Sequence, residues 1–387
     1  MEQAIFKDYS VIEGLLKDTV IPDMFKVRQT FSRERIEDVA EETRRQLTSG
    51  GLEEPIQPGM TIAVTGSSRG IANMNIILRE TVRFLKEAGA LPFIIPAMGS
   101  HGGATAEGQK AVLAGYGITE EFCGCPIVSS MDTVCIGLGK QKGADCMHND
   151  GFKYFKTRIP LFGNYVRTHT NVHFAVASIE NAYDETSKIA VLRNEEIPVK
   201  EPELLKYAFS LMPRILVDET DVLIVNEIGK NFSGSGMDPN ITGTWSTPYG
   251  SGGIKKQRTV VLDLSDESHG NGLGIGQADT TTLRFFNKMD FTETYPNALT
   301  STVSLPVKLA MVLKNDEMAI KAAVKTCNET DPSNTRTVLI KNSLSMEEIY
   351  LSRAYLEHMK DISGLTMESG CRPLPFDANG NLILWNH

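Results

Sequence analysis

Two glycine-flanked segments carry the side chains best suited to hold an anion and move a proton. In VTGSSRGIA (64–72) the guanidinium of Arg69 follows a short apolar run and precedes a helical pattern. Arginine grips a carboxylate with two parallel N–H donors, which suits an anionic hydroxy acid. In MGSHGGAT (98–105) His101 stands in the next strand-to-helix loop, with glycines around it that let backbone come close to a ligand. Imidazole is the side chain whose ordinary titration lies near neutral pH, so His101 is a candidate acid/base. In a parallel sheet both loops emerge on one edge, where open α/β sheets bind ligands. Taken singly, each also has a bland reading, as a turn cap or a structural histidine.

Further candidates lie downstream. IGLGKQKGADCMH (136–148) combines glycines with Lys140, Lys142 and His148, a composition suited to a phosphate or anionic cofactor, with His148 a possible metal ligand. NEIGKNFSGSGMDPNITG (226–243) offers Glu227, Lys230, Asp238 and Asn240 on a long glycine-rich loop, as expected of a ligand loop or a lid. His169 and His173 have zinc-site spacing for a helix, but TNVHFAVASI is β-branched and alternating. On a strand that spacing is about 13 Å, so both are assigned to structure. The six cysteines form no C-x-x-C pair, and Cys123 and Cys125 in C-G-C are read as structural thiols in a reducing compartment. VTGSSRGIA also imitates a dinucleotide-binding turn, which leaves a nicotinamide oxidoreductase as an alternative. Against it, Ala72 replaces the last glycine and the chain has no Y-x-x-x-K.

The elements that must position these groups follow from periodicity. TIAVTG and LPFIIPA read as buried strands, each followed by an amphipathic helix ending at glycine, and this alternation predicts a parallel sheet. DVLIVNEIG and RTVLIKN read as further strands. Helices are expected at 306–313 and 315–327, and a third after Ser345 and Glu348, which form an S-x-x-E capping box ahead of IYLSRAYLEHM. The fold class is therefore α/β, a parallel-sheet N-terminal domain (1–265) and a second α/β domain (276–387), with the site in the cleft between them. The polar, glycine-rich stretch 264–276 marks the boundary.

A net charge of −9, with basic residues scattered singly, gives no footprint for nucleic acid. The charged N-terminus and the lack of a long apolar run point to a soluble, cytoplasmic protein with no membrane segment.

In order, SSRGI, GSHGGAT, IGLGKQKGAD-x-x-H, ENAYDET, LLK-x-A-x-x-LMPR, DVLIVNEIGK-x-x-SG-x-GMDPN-x-TG and TYPNALTS resemble the lactate racemase-like family over most of residues 55–345. The resemblance implies a racemase or epimerase of a small 2-hydroxy acid. Its cofactor would be a nickel-pincer nucleotide, a pyridinium mononucleotide with two thio-acyl arms, made by dedicated assembly proteins. It implies that Arg69 and Tyr295 bind substrate, that His101 is an acid/base and that His148 ligates nickel. Ser68, Lys140, Lys142 and Lys230 would contact the cofactor. The chain departs from the family twice. Gly66 stands where members have an aspartate, and SSMDTV runs directly into CIGLGK, without the family's second acid/base histidine and cofactor-attaching lysine. A relative that binds ligand without turning it over is the alternative these departures imply.

Overall fold

The computed structural model describes residues 8–68, 70–98, 101–132, 167–228, 239–242, 253–268, 270–272, 274–300, 310–327 and 330–385. In chain order the strands are β1 Met24–Gln29, β2 Thr61–Gly66, β3 Leu91–Pro96, β4 Phe174–Glu180, β5 Thr186–Arg193 and β6 Glu219–Ile228. There follow β7 Lys255–Leu264, β8 Thr280–Thr282, β9 Met311–Leu313, β10 Thr337–Ile340, β11 Glu348–Ser352 and β12 Leu365–Met367. The principal helices are α1 Ser10–Leu16, α2 Val39–Ser49, α3 Met74–Glu87, α4 Ala106–Gly115, α5 Ile197–Leu211, α6 Leu283–Lys288, α7 Phe291–Thr300 and α8 Asp316–Thr326. The chain forms two compact units, the larger from Met1–Phe31, Gln141–Ile159 and Pro213–His387, the smaller from Ser32–Lys140 and Pro160–Met212. Both mix helices and strands, so the chain is an α/β protein, and its main sheet is mostly parallel.

That sheet belongs to the larger unit and runs β12-β1-β11-β10-β6-β7-β8-β9. The strands from β10 through β6, β7 and β8 to β9 are mutually parallel, and β11, β1 and β12 add antiparallel partners at one side. Continuous apolar runs fit such a sheet because both faces are covered. Alternate residues go to opposite sides: Leu223, Val225, Val261 and Val338 join one core. Val222, Ile224, Val260 and Leu339 join another, with Leu16 of α1 and Ile320, Ala323 and Val324 of α8.

Three expectations are corrected here. The segment after Ser345 is strand β11, not a helix, set between β10 and β1. Ile349 and Leu351 enter one core and Tyr350 the other, so a strand buried on both faces lost the alternation that would have marked it. Met311–Leu313, expected to end a helix, is β9, paired in parallel with β8; of the rest of that expected helix, 306–309 lies outside the described residues. The stretch 264–276, expected as a domain boundary, joins two adjacent strands of one sheet, since Val260 of β7 pairs with Thr280 of β8. Polar glycine-rich sequence marks a crossover loop as readily as a linker.

The smaller unit holds a parallel pair, β2 with β3, in register from Thr61↔Leu91 to Gly66↔Pro96, and an antiparallel hairpin of β4 with β5. Helix α3 buries Met74, Ile77, Leu78, Val82 and Leu85 along an i, i+3, i+4 stripe, and Gly89 at φ 87° ends it. Thr105 caps α4 by accepting from the Gly108 amide at 3.0 Å. Met74, Leu78 and Val82 pack with Ile94, Leu113 and Ile118 into the core beneath the β2 and β3 loops. Among the described residues no helix is long and apolar enough to cross a membrane.

Candidate functional site

The loops that leave β2 and β3 lie side by side, joined where the Ala97 amide donates to the Gly66 carbonyl at 2.8 Å. Beyond that link Ser68 Oγ and His101 Nδ1 are 2.6 Å apart. A hydroxyl and an imidazole 33 positions apart in sequence thus form one hydrogen-bonded pair at the carboxyl end of a parallel strand pair. Arg69 is next to Ser68 in the chain and lies outside the described residues, as do Lys140, Lys142, His148 and Lys230. Tyr295 is on α7 of the larger unit, 48% exposed, with its ring 5.4 Å from that of Phe291.

Helix α4 fixes both partners of the pair. At its C-terminal end the Tyr116 hydroxyl donates to the Ser68 carbonyl at 3.1 Å, and the Tyr116 ring lies where a Cβ on Gly70 would touch it at 3.4 Å. In its first turn Gly108 meets Gly102 backbone to backbone, for a Cβ on Gly108 would fall 1.8 Å from the Gly102 carbonyl oxygen. No side chain can be added there without moving the loop. The His101 amide donates to the Met98 carbonyl at 3.1 Å, and Gly102, Gly103 and Ala104 follow with φ of 67°, 68° and 54°. Ala104 pays a left-handed conformation that alanine rarely adopts, and such strain concentrates at functional loops.

The start of α3 is occupied from within. Asn73 has φ 57° and its side-chain amide donates to Thr186 Oγ1 at 3.0 Å, while the Ala72 amide donates to a Glu180 carboxylate oxygen. Burial, opposed by that hydrogen bond, raises the Glu180 carboxyl above its ordinary value. A hairpin carboxylate therefore sits where a dinucleotide-binding turn presents amides to a pyrophosphate. Gly66 is packed as well: a Cβ there would lie 3.1 Å from Leu113 Cδ2 and 3.5 Å from Ile94 Cγ2.

Other candidates separate from this site. His173, expected within a strand, directly precedes β4, its carbonyl accepting from the Asn194 amide at 2.9 Å. His169 instead lies in a helical turn at 167–169, with Nδ1 2.9 Å from Thr168 Oγ1. Thiols Cys123 and Cys125 are buried and free, and burial pushes the Cys123 thiol up to about 11, away from reactivity. Cys135 and Cys146 lie outside the described residues. Of the candidates expected on the long glycine-rich loop, Glu227 lies within β6, one residue from its end, and accepts from the Asn342 side chain at 3.0 Å. Asp238 lies outside the described residues, and Asn240 sits in the single helical turn Pro239–Thr242.

The larger unit has its own carboxyl edge. There Arg284 Nη2 donates to both oxygens of Asp316 at 3.1 and 2.9 Å, and Arg284 Nε lies 3.3 Å from Asp263. Lys288 reaches Asp263 at 3.1 Å, and the Leu382 amide donates to Asp316 at 2.8 Å. Burial, opposed by Arg284, raises the Asp316 carboxyl to about 6. An apolar cavity of about 750 Å³, lined by Leu15, Leu16, Phe286, Met311 and Ala322 among others, lies elsewhere in this unit.

Sequence reasoning named His101 and Ser68 separately, without pairing them, and did not single out Tyr116, Gly108 or Glu180, whose parts depend on contacts across the fold. Only Gly108, a glycine inside a helical pattern, left a visible signal. Set against protein-family models, curated proteins and solved structures, the chain matched nothing in any of the three comparisons.

Proposed function

We propose that this protein racemises or epimerises a small 2-hydroxy acid with a nickel-pincer nucleotide, and that His101 is one of its acid/base groups. The observation that carries the reading is the Ser68–His101 pair on two adjacent strand-end loops, one of which also bears Arg69. By resemblance His148 would ligate the nickel, and Lys140, Lys142 and Lys230 would hold the anionic nucleotide. When bound, the cofactor supplies a centre that accepts hydride from the substrate carbon and returns it.

The remaining work falls to side chains. Arg69 holds the substrate carboxylate as an anchor about which the ketone turns, so that hydride can return to its other face. His101 takes the proton of the substrate hydroxyl as the carbon is oxidised to a ketone, and gives it back as the carbon is reduced. A positioned group of this kind contributes about 10² to 10⁴ in rate.

A ligand-binding relative without turnover is the second reading, favoured by the direct junction of SSMDTV with CIGLGK and by Leu113 filling the space beside Gly66. The nicotinamide alternative is weakened by Glu180, since its carboxylate already takes an amide at the start of α3 and repels a phosphate.

The test is to produce the chain with and without the cofactor-assembly proteins, measure nickel and intact mass, and follow interconversion of D- and L-hydroxy acids by chiral chromatography. Nickel in stoichiometric amount with interconversion supports the racemase. Nickel without interconversion selects the binding reading, and absence of both overturns nickel-pincer chemistry for this chain.

A further inference from the structure

We propose that the apolar cavity of the larger unit binds a fatty carboxylate, with the hydrocarbon chain against its apolar walls and the head group at Lys325 and Arg258. The site is built from the larger unit alone and stands independently of the racemase reading.

At about 750 Å³ the cavity is of the size that takes small organic ligands. Leu16 of α1, Phe286 of α6, Val312 of β9 and Ala322 of α8 are among its walls. Two further wall residues, Leu15 and Met311, are 62% and 55% exposed, and Val11, one turn before Leu15 on α1, is 71% exposed. Large apolar side chains left in solvent around a cavity mark a place where apolar matter is taken up.

The polar side chains described in its lining are confined to the last turn of α8, Lys325 and Thr326. Thr326 is engaged by Arg258, whose Nε donates to the hydroxyl at 3.2 Å and whose Nη2 donates to the carbonyl at 2.5 Å. Arg258 Nη1 donates to the Gln257 carbonyl at 2.9 Å. All three acceptors are neutral, so the guanidinium keeps its full charge. Neighbouring cations are cancelled, Lys314 by Glu13 at 3.0 Å and Lys321 by Glu317 at 2.7 Å. Among the described residues neither Arg258 nor Lys325 has a carboxylate partner. Two uncancelled cations beside apolar walls complement a ligand with one anionic end and an apolar body. A protein face would cover such a cavity, whereas a slender chain fills it and gains the contacts of close packing.

The test titrates the full chain with saturated carboxylates from octanoate to dodecanoate, below their micelle concentrations, and with the matching alcohols, by calorimetry. Affinity for the carboxylates should rise about fourfold per added methylene. At low salt each carboxylate should bind about fivefold tighter than its alcohol, and Lys325→Met should weaken the carboxylate about fivefold while leaving the alcohol unchanged. Leu15→Glu sets a like charge at an exposed wall position and should weaken dodecanoate on the order of tenfold. A urea titration of each variant, expected to match the native midpoint, checks folding. The proposal is overturned if no carboxylate binds saturably, if carboxylate and alcohol bind equally, or if dodecanoate affinity is unchanged in either folded variant. Sedimentation tests a second copy of the chain as the occupant: self-association that Leu15→Glu abolishes, without carboxylate binding, also overturns the proposal.

Discussion

At the carboxyl ends of β2 and β3 the smaller unit sets a hydroxyl, an imidazole and glycine-rich backbone. At the carboxyl ends of β7, β8 and β9 the larger unit sets Asp263, Arg284, Lys288 and Asp316 and ties them to one another. Both edges occupy the position at which open α/β sheets take ligands. In the larger unit two acids and two bases neutralise each other, and the Leu382 amide takes up a further Asp316 lone pair. In the smaller unit glycines keep side chains away from the loops, and the only side-chain pair described between them is Ser68 with His101. The contrast separates polarity tied into an ion-paired network from polarity carried on two glycine-rich loops, although composition alone gives both edges the same look.

Removing the central group on each side should break the comparison most sharply. His101→Gln is expected to cost about 10² to 10⁴ in turnover of the cofactor-loaded protein, with stability within about 0.5 kcal/mol of the native chain. A large loss of stability in a urea titration would instead make His101 structural. Arg284→Met should do the reverse, leaving the buried Asp316 carboxylate without its cation while Lys288 still holds Asp263, at a cost of about 3 kcal/mol in unfolding free energy. An unaltered midpoint would mean that the larger unit's edge is not held by this pair.

Gly108→Ala comes next. Its Cβ meets backbone rather than a flexible side-chain end, so a loss of about 1 to 3 kcal/mol is expected, together with disturbed His101 resonances. Resonances left in place would show that the loop does not depend on this contact.

The smallest effect concerns pH. Because burial raises the folded-state Asp316 carboxyl to about 6, the folded chain binds the extra proton between the ordinary carboxylate range and that value. This contribution is present at low pH and is lost as pH rises through about 6. Asp316→Asn should flatten that slope, by on the order of 2 kcal/mol across the window, in melting curves taken from pH 4 to pH 7. Parallel curves for the two proteins would sink the assignment.

The strand-helix alternation of residues 61–115 was legible because each element there buries one stripe or one short run, and periodicity records that directly. β11 was not, because burial on both faces erases the pattern, and a chance S-x-x-E outweighed a β-branched, aromatic segment. The pairing of His101 with the β2 loop followed from topology alone, since parallel strands must send consecutive loops to the same edge. The hydrogen bond to Ser68 did not, for it depends on how Tyr116 and Gly108 hold the two loops, and nothing in local sequence encodes a contact 33 to 48 positions away.

Gly66 ties two positions of the core together. A side chain there would place its Cβ 3.1 Å from Leu113 Cδ2 and 3.5 Å from Ile94 Cγ2, so an acidic residue at 66 would set a carboxylate against apolar atoms. Leu113 would have to give way, while a smaller residue at 113 alone opens a hole in the core. Substitutions at 66 and 113 are therefore expected to act together rather than additively.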